Sequence, residues 1–225
     1  SSANDLKDYW AAHDAIKIPP IKVICPGADL HKSMGSFWKS AFSEVPVFLY
    51  VSTFERRKNH ISLLKAAKNL WDAGYSFRLE LIGGQNNETG REAVEFARYL
   101  RLMGYSLELS GRVTDDELIL AYQRSSAVVY PSLYEGYGLP VVEALLFGKP
   151  VILSPFGSLR EFEADGGVFL LESASAKAIR KGLAKFIDDP SLLDALTVQA
   201  KARCFRSWND FSNKSVSFLK ELMKV

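Results

Sequence analysis

The chain has 225 residues, of which 48% are apolar and 24% charged, as in an ordinary soluble globular protein with a sizeable core. Its net charge of +2 is too small to argue for nucleic acid as a partner, and no apolar run is long enough to span a membrane. The two cysteines, Cys25 and Cys204, have neither metal-ligand nor disulfide-framework spacing, and no signal peptide opens the sequence. We therefore expect a cytoplasmic protein.

The first part of the chain has little regular periodicity. Asn4–Ala15 has the pattern of a helix, which Ile18-Pro-Pro ends, and residues 22–29 predict a strand and a turn. Residues 31–45 indicate a loop with a short helix. The abrupt start, SSANDLKDYW, resembles the middle of a longer protein, so a fragment is one interpretation of the chain.

From Val47 onward, apolar strands alternate with amphipathic helices. The predicted strands are Val47–Val51, Phe77–Ile82, Ser106–Leu109, Ala127–Tyr130, Val151–Leu153 and Val168–Leu171. The predicted helices are Asn59–Ala73, Arg91–Met103, Thr114–Ser125, a segment from Pro140 to Gly148, Ser175–Asp188, Ser191–Phe205 and Asp210–Lys224. Because every strand is nearly all apolar, the pattern predicts a doubly wound, Rossmann-like α/β fold with a parallel sheet covered on both faces. Ligands of such folds bind above the carboxyl ends of the strands.

The loop after the fourth predicted strand, SLYEGYGL, feeds a glycine-rich turn into the start of a helix, which is an anion-binding arrangement. Two acids frame this loop, Glu135 and, eight positions on, Glu143 in the expected first turn of the helix. A carboxylate accepts two hydroxyl groups well and so suits the diol of a sugar or a ribose. Spacing alone gives equal weight to a second interpretation, in which Glu143 complements the helix dipole and Glu135 is a solvated acid.

The loops after the other strands add further candidates. Arg56, Arg57 and Lys58 precede a helix, where the dipole disfavours positive charge, so they predict a bound anion rather than a solvated basic turn. Gly83 and Gly84 would let a ligand approach the backbone, although this signal is weak alone. In the next loop, GRVTDDE, the backbone of Val113 could meet a flat base, and a purely structural role is equally compatible with the residues.

No Asp-x-Asp pair occurs in the chain, so we expect no bound divalent metal and no other cofactor. The three histidines, His13, His31 and His60, lack the spacing of metal ligands. His60 adjoins the basic turn, and we expect it to be a surface histidine.

The string EGYGLPVVEAL resembles the acid–seven residues–acid motif of the nucleotide-sugar lobe in retaining glycosyltransferases of the GT-B fold, which have two Rossmann-like lobes. VSTFERRKNHISLLKAA, GGQ and GRVTDDEL match segments of the same family, and the resemblance spans about Ile18 to Trp208. The family usually has an arginine five residues before its lysine, where this chain has Thr53, so that role would pass to Arg57 or Arg56. TFERRKNH is similar to the variant found in bacterial enzymes that build surface polysaccharides, several of them mannosyltransferases.

The resemblance implies retaining transfer of a sugar from a nucleoside diphosphate, with GDP-mannose weakly favoured, to a glycan or lipid-linked acceptor. As catalytic residues, Lys58 would hold the diphosphate and stabilise its growing charge, and Glu135 would orient the hydroxyls of the donor sugar. Glu143 would take the ribose diol. The remaining donor-binding residues would be Arg57, Gly83, Gly84, Val113 and the backbone of Gly136, Tyr137, Gly138 and Leu139.

The resemblance also implies a division of the chain. Residues 1–20 would be the tail of an N-terminal lobe with its linker, residues 21–208 the nucleotide-sugar lobe, and residues 209–225 a helix that crosses back to the missing lobe. Because that lobe would hold the acceptor site, we expect this chain alone to bind the donor and transfer nothing. The full-length enzyme would act in the cytoplasm or as a peripheral protein at the inner face of the membrane.

Other functions fit parts of the pattern. Glu135 and Glu143 could serve as acid and nucleophile of a glycoside hydrolase, although the basic turn would then have no role. An epimerase or a phosphorylase with the same lobe, or a non-catalytic module that binds nucleotide sugars, is the other alternative.

Overall fold

The computed structural model describes residues 2–13, 20–27, 45–85 and 88–223. The chain divides into two compact units, one of residues 37–203 and a smaller one of residues 1–36 and 204–225. The loop and short helix expected at residues 31–45 fall outside the described residues, apart from Val45. No helix in the described part of the chain is both long and apolar enough to cross a lipid bilayer.

The larger unit contains a six-stranded sheet. Its strands are β1 Val47–Val51, β2 Arg78–Ile82, β3 Leu107–Ser110, β4 Ala127–Tyr130, β5 Val151–Leu153 and β6 Val168–Leu170. All neighbouring strands are parallel, in the order β3-β2-β1-β4-β5-β6. The predicted Rossmann-like fold is therefore confirmed. In this order the chain reverses direction across the sheet between β1 and β4, and the crevice at the carboxyl ends of these two strands is the usual ligand site.

The helices also follow the prediction, with ends that differ by at most a few residues. They are α1 Ser2–Ala11, α2 His60–Asp72, α3 Arg91–Leu102, α4 Asp115–Arg124, α5 Leu139–Leu146, α6 Ala176–Asp188, α7 Pro190–Ala202 and α8 Trp208–Leu222. Short 3₁₀ segments occur at Arg56–Lys58, Glu88–Gly90 and Gly157–Asp165. The last of these, between β5 and β6, was not predicted.

Helix α2 shows why the helices could be predicted from the spacing of apolar residues. Its apolar residues at helical spacing, Leu63, Ala66, Ala67 and Leu70, are fully buried, and α2 packs on α6. Burying one leucine side chain stabilises the fold by about 1.5–3 kcal/mol. The helix ends before Gly74, whose left-handed backbone (φ 87°) continues no helix.

The smaller unit corrects one prediction. Residues 20–27 have no regular secondary structure, so the strand expected at residues 22–29 is absent from the described part of that segment. This segment runs beside α8 instead: Lys22 Nζ lies 3.3 Å from a Glu221 carboxylate oxygen. A Cβ on Gly27 would lie 2.2 Å from the backbone nitrogen of Trp208, so only glycine fits there. Close packing of the backbone, rather than strand pairing, orders this segment.

Candidate functional site

Two side chains that follow the central strands meet at the carboxyl edge of the sheet. Lys58 comes after β1 and Glu135 after β4, the two neighbouring strands at which the strand order reverses. Lys58 Nζ lies 2.5 Å from Glu135 Oε1, and the two residues are only 7% and 8% exposed. The fold therefore places the two residues predicted to be catalytic in one buried ion pair.

Arg57 completes this group, and we refer to Arg57, Lys58 and Glu135 as the acid–cation cluster. Its Nη1 lies 3.2 Å from Glu135 Oε2, so each oxygen of that carboxylate faces a cation. Its Nε lies 3.0 Å from Glu55, whose other oxygen accepts a hydrogen bond from the Thr53 hydroxyl at 2.9 Å. Of the two arginines left open by the sequence, both are exposed, but Arg57 pairs with Glu135 and therefore belongs to the site.

The basic turn comes just before α2, as predicted, and forms a separate 3₁₀ turn. Its charge is not uncompensated, because Glu135 pairs with Lys58 and Arg57, and Glu55 pairs with Arg57. Asn59, in the left-handed conformation (φ 61°), joins the turn to α2, and its side-chain amide donates to the Pro131 carbonyl at 3.0 Å. The Leu133 N–H donates to the Arg57 carbonyl at 2.8 Å. The loops after β1 and β4 are therefore bonded to each other.

The Glu135 carboxylate is ionised in this setting. Burial favours the neutral acid, but the hydrogen bond and charge of Lys58 outweigh burial and hold the pKa of Glu135 below its ordinary value. The Ser158 hydroxyl donates to the main-chain carbonyl of Glu135 at 2.9 Å and fixes the loop. The site thus holds a charged acceptor between two cations.

Two buried tyrosines at the ends of β1 and β4 belong to the site, and the sequence analysis missed them. The Tyr130 hydroxyl lies 3.1 Å from both Lys58 Nζ and Glu135 Oε1, and the Tyr50 hydroxyl donates to the Lys58 carbonyl at 2.6 Å. Burial raises the pKa of both phenols, which therefore stay neutral. The available signal was tyrosine in place of phenylalanine at the end of a fully apolar strand, because a buried phenol requires a hydrogen-bond partner.

Glu143 is in the second turn of α5, not the first as predicted. The helix begins at Leu139, after Gly138 with left-handed backbone (φ 89°), so Pro140 is its second residue and Glu143 its fifth. The half-buried Glu143 accepts a hydrogen bond from the Tyr122 hydroxyl at 2.8 Å, and burial raises its pKa despite this bond. The helix dipole acts mainly within the first turn, so complementing the dipole does not explain this acid.

The glycines of the site differ in what requires them. A Cβ on Gly83, whose φ is 148°, would lie 2.0 Å from the Ser52 carbonyl oxygen, so packing between the loops after β1 and β2 requires this glycine. Gly136 is exposed, has no left-handed backbone, and a Cβ there would meet nothing within 4 Å. Local structure therefore leaves Gly136 unexplained, whereas a ligand against the backbone would explain it.

The other predicted donor-binding residues lie on loops at the same edge of the sheet. The Gly84 carbonyl accepts from the Phe54 N–H at 3.0 Å, Val113 is half-buried after β3, and Leu139 is exposed at the start of α5. The Tyr137 ring lies 6.0 Å from the Phe162 ring. Among the described residues, neither Val113 nor Glu143 hydrogen-bonds to the acid–cation cluster, so the structure joins only Arg57, Lys58 and Glu135 directly.

His60 is buried, not on the surface as predicted. It is 2% exposed and stacks on Phe54, with ring centroids 4.1 Å apart. Burial and the charge of Lys58 lower its pKa to about 3, and neither ring nitrogen has a hydrogen-bond partner among the described residues. As the first residue of α2, it faces the core beneath the basic turn. In the same described part of the chain, no three His, Cys, Asp or Glu residues are grouped so as to hold a metal ion.

Comparison with known proteins finds mannosyltransferases among the relatives of this chain. O-antigen chain mannosyltransferase B of Escherichia coli is 31% identical over 77% of this chain and 45% of the relative. Serotype-specific mannosyltransferase WbdA of Escherichia coli is 29% identical over 83% of this chain and 24% of the relative. The chain therefore spans less than half the length of these two relatives.

Solved structures share the fold. A glycosyltransferase from Rickettsia africae ESF-5 superposes with a TM-score of 0.67 at 21% identity, over 81% of this chain and 49% of the other. Sucrose-phosphate synthase from Thermosynechococcus elongatus gives a TM-score of 0.67 at 23% identity, over 80% of this chain and 46% of the other. Residues 36–203 match the family described as Glycosyl transferases group 1, and this range includes the whole of the larger unit. The chain belongs to this family of group 1 glycosyl transferases.

Proposed function

We propose that this chain is the donor-binding lobe of a retaining glycosyltransferase that uses a nucleoside-diphosphate sugar. The observation that carries the proposal is the acid–cation cluster, with its buried Lys58–Glu135 pair, at the point where the strand order reverses. Its two cations, Arg57 and Lys58, match a diphosphate in charge. Because both named relatives are mannosyltransferases, we favour GDP-mannose as the donor and a glycan or lipid-linked acceptor, held by a second lobe.

The cluster suggests how the donor binds. In the free protein Glu135 forms ion pairs with both Lys58 and Arg57, so a diphosphate must replace Glu135 as the partner of these two cations. Each charge-assisted hydrogen bond to phosphate contributes about 1.5–3 kcal/mol. The exchange leaves the Glu135 carboxylate free to accept hydroxyl groups of the donor sugar. Binding of the diphosphate and recognition of the sugar would then be coupled.

Bond cleavage follows from the same arrangement. Negative charge grows on the leaving diphosphate as the bond between sugar and phosphate breaks. Lys58, which is buried and whose main-chain carbonyl accepts a hydrogen bond from Tyr50, would stabilise this charge once its ammonium group has passed from Glu135 to the diphosphate. The start of α5 has no side-chain cap, so backbone N–H groups from Gly136 to Leu139 can face the phosphate or the sugar.

The nucleoside end of the donor would lie toward α5 and β3. Glu143 accepts from Tyr122 through Oε2, and its Oε1 would accept a ribose hydroxyl. The backbone of Val113, with Gly83 and Gly84 beside it in the sheet order, would meet the base. No divalent metal is required in this proposal, because Arg57 and Lys58 supply the positive charge. A cytoplasmic location fits the two free cysteines, and peripheral attachment of the full-length enzyme to the membrane is part of the same proposal.

A thermal-shift panel with one matched pair of variants tests the proposal. The wild-type protein is heated with GDP, UDP, ADP, their sugars and the free nucleosides. We expect one nucleoside diphosphate and its sugar to raise the unfolding midpoint, because a ligand that binds only the folded state stabilises it. Arg57→Gln should reduce the shift, whereas Arg56→Gln, which removes the same charge from the neighbouring residue outside the cluster, should preserve it. If no nucleoside diphosphate stabilises the wild type, the proposal is wrong.

A further inference from the structure

Each of the two acids of the site receives a hydrogen bond from one buried tyrosine. The Tyr130 hydroxyl lies 3.1 Å from Glu135 Oε1, and the Tyr122 hydroxyl lies 2.8 Å from Glu143 Oε2. Both tyrosines are fully buried, and burial raises the pKa of both phenols, so each keeps its proton. The site therefore contains two similar arrangements, in each of which a neutral, buried phenol donates a hydrogen bond to a carboxylate.

The direction of the bonds at Tyr130 follows from the chemistry of its partners. An ammonium group can only donate, and an ionised carboxylate can only accept. The Tyr130 hydroxyl therefore accepts a hydrogen bond from Lys58 Nζ, at 3.1 Å, and donates its own hydrogen bond to Glu135. Its ring packs edge-on against Tyr50, with centroids 5.5 Å apart and an angle of 90° between the planes, so the hydroxyl is fixed.

Tyr122 is fixed in a comparable way on α4. Its ring stacks on Phe147, with centroids 5.1 Å apart and only 11° between the planes. Its hydroxyl reaches Glu143 at 2.8 Å, while the Pro140 carbonyl is farther away at 3.4 Å. The proton is thus directed at the carboxylate, which leaves Glu143 Oε1 as the oxygen available to a ligand.

We propose that Tyr130 and Tyr122 are positioning residues, Tyr130 for the acid that receives the donor sugar and Tyr122 for the acid that receives the ribose. The inference rests on the proposed function for the ligand of each acid. When a diphosphate draws Lys58 and Arg57 away from Glu135, the Tyr130 hydroxyl is the donor that stays. Without this hydrogen bond, the Glu135 carboxylate would rotate toward Lys58 and Arg57 and would no longer be oriented to accept the hydroxyl groups of the sugar.

The test is a crossed comparison of Tyr130→Phe and Tyr122→Phe, which remove one hydroxyl each and keep the ring. Affinities are measured by calorimetry for three ligands with the base that the thermal-shift panel selects: the diphosphate, the diphosphate sugar and the 2′,3′-dideoxy diphosphate. Two ratios of affinities are compared. The sugar ratio is the affinity for the diphosphate sugar divided by that for the diphosphate, and the ribose ratio is the affinity for the diphosphate divided by that for its 2′,3′-dideoxy form. Each ratio compares ligands on the same folded molecules, so partial unfolding of a variant cancels.

We expect Tyr130→Phe to lower the sugar ratio about tenfold, the order expected for one hydrogen bond to a charged group, and to leave the ribose ratio unchanged. Tyr122→Phe should lower the ribose ratio by a similar factor and leave the sugar ratio unchanged. A merely structural role would weaken all three ligands together, and that result, or unchanged ratios in both variants, would overturn the inference. If the wild type binds none of the ligands, the proposed function itself fails and the inference with it.

Discussion

At the scale of single residues, Glu135 organises the site because it pairs with both cations that a diphosphate would need. Taking Lys58 and Glu135 out of water has a large cost, so a buried ion pair is weak evidence for a stabilising role. Apolar side chains of similar volume would serve stability as well. Under the proposed function, the pair is better explained as a preformed phosphate site in which the Glu135 carboxylate pairs with the cations until the ligand displaces it.

Removing the negative charge of Glu135 should therefore increase the affinity for the nucleotide. We expect Glu135→Gln to tighten binding of the nucleoside diphosphate about five- to tenfold, because the ligand no longer competes for Lys58 and no longer meets a negative charge. The free variant should unfold more easily, since Lys58 becomes a buried charge without its acid, and the ligand should restore the lost stability.

Isothermal calorimetry checks this expectation, with Glu172→Gln as the control. Glu172 is exposed and pairs with Lys181, so this change alters the net charge equally and should leave affinity unchanged. Weaker binding by Glu135→Gln would show that the acid contacts the nucleotide directly and is not displaced by it.

His60 makes a separate prediction about pH. Its pKa is lowered to about 3 by burial and by Lys58, whereas in the unfolded chain it is about 6.5. Below the unfolded value only the unfolded chain takes up this proton, so stability is lost as the pH falls. The loss from this one group is about 2 kcal/mol between about pH 7 and about pH 5.

Urea unfolding at both pH values checks the contribution of His60. His60→Phe keeps a ring against Phe54 and should lose correspondingly less stability between the two pH values than the wild type. His13→Asn, at an exposed histidine, should behave as the wild type. Equal losses in the wild type and in His60→Phe would mean that folded His60 takes up its proton as readily as the unfolded chain does, which would contradict the lowered pKa.

At the scale of elements, the loops after β1 and β4 carry Lys58 and Glu135, while the strands place these loops and supply Tyr50 and Tyr130 beneath them. Gly83 and Gly136 follow β2 and β4 and are both candidates from the sequence, but their surroundings differ. Packing against Ser52 requires the first, and nothing within 4 Å requires the second. Only the second is free to serve a ligand.

This difference gives a paired prediction. Gly83→Ala should lower the free energy of unfolding by several kcal/mol, because a Cβ would clash with the Ser52 carbonyl on a backbone that disfavours side chains. Gly136→Ala should leave the unfolding free energy within about 0.5 kcal/mol of the wild type and still weaken diphosphate binding. Chemical denaturation and calorimetry measure the two effects. Undiminished binding by Gly136→Ala would remove the loop backbone from the site.

The sequence predicts the elements well and the contacts of the site only in part. Apolar runs of strand length and helical spacing mark β1, β4 and α2, because burial decides those residues locally. Nothing local shows that Lys58 pairs with Glu135, since that contact depends on β1 and β4 being neighbours in the sheet. His60 was wrongly expected at the surface for the same reason: the residues before it in the chain are charged or polar, but its neighbours in space are aromatic.

At the scale of the whole molecule, the proposed function gives the positive charges of Arg57 and Lys58 the role that a metal ion has in many phosphate sites. We therefore expect the affinity for the nucleoside diphosphate to be the same in the presence of a chelator and of Mg²⁺. Calorimetric titration under both conditions measures it. A loss of more than about tenfold in chelator, equivalent to about 1.4 kcal/mol, would contradict binding by Arg57 and Lys58 alone.

The central claim is that Lys58 holds a diphosphate, and one titration tests it most directly. Lys58→Gln is compared with the wild type for the nucleoside diphosphate that stabilises the protein most and for the corresponding nucleoside. Lys68→Gln, on the exposed side of α2, controls for the loss of one charge. We predict that Lys58→Gln weakens the diphosphate about 10- to 100-fold, as for a charge-assisted hydrogen bond, and leaves the nucleoside unchanged. Equal losses for both ligands, or none, would contradict the account.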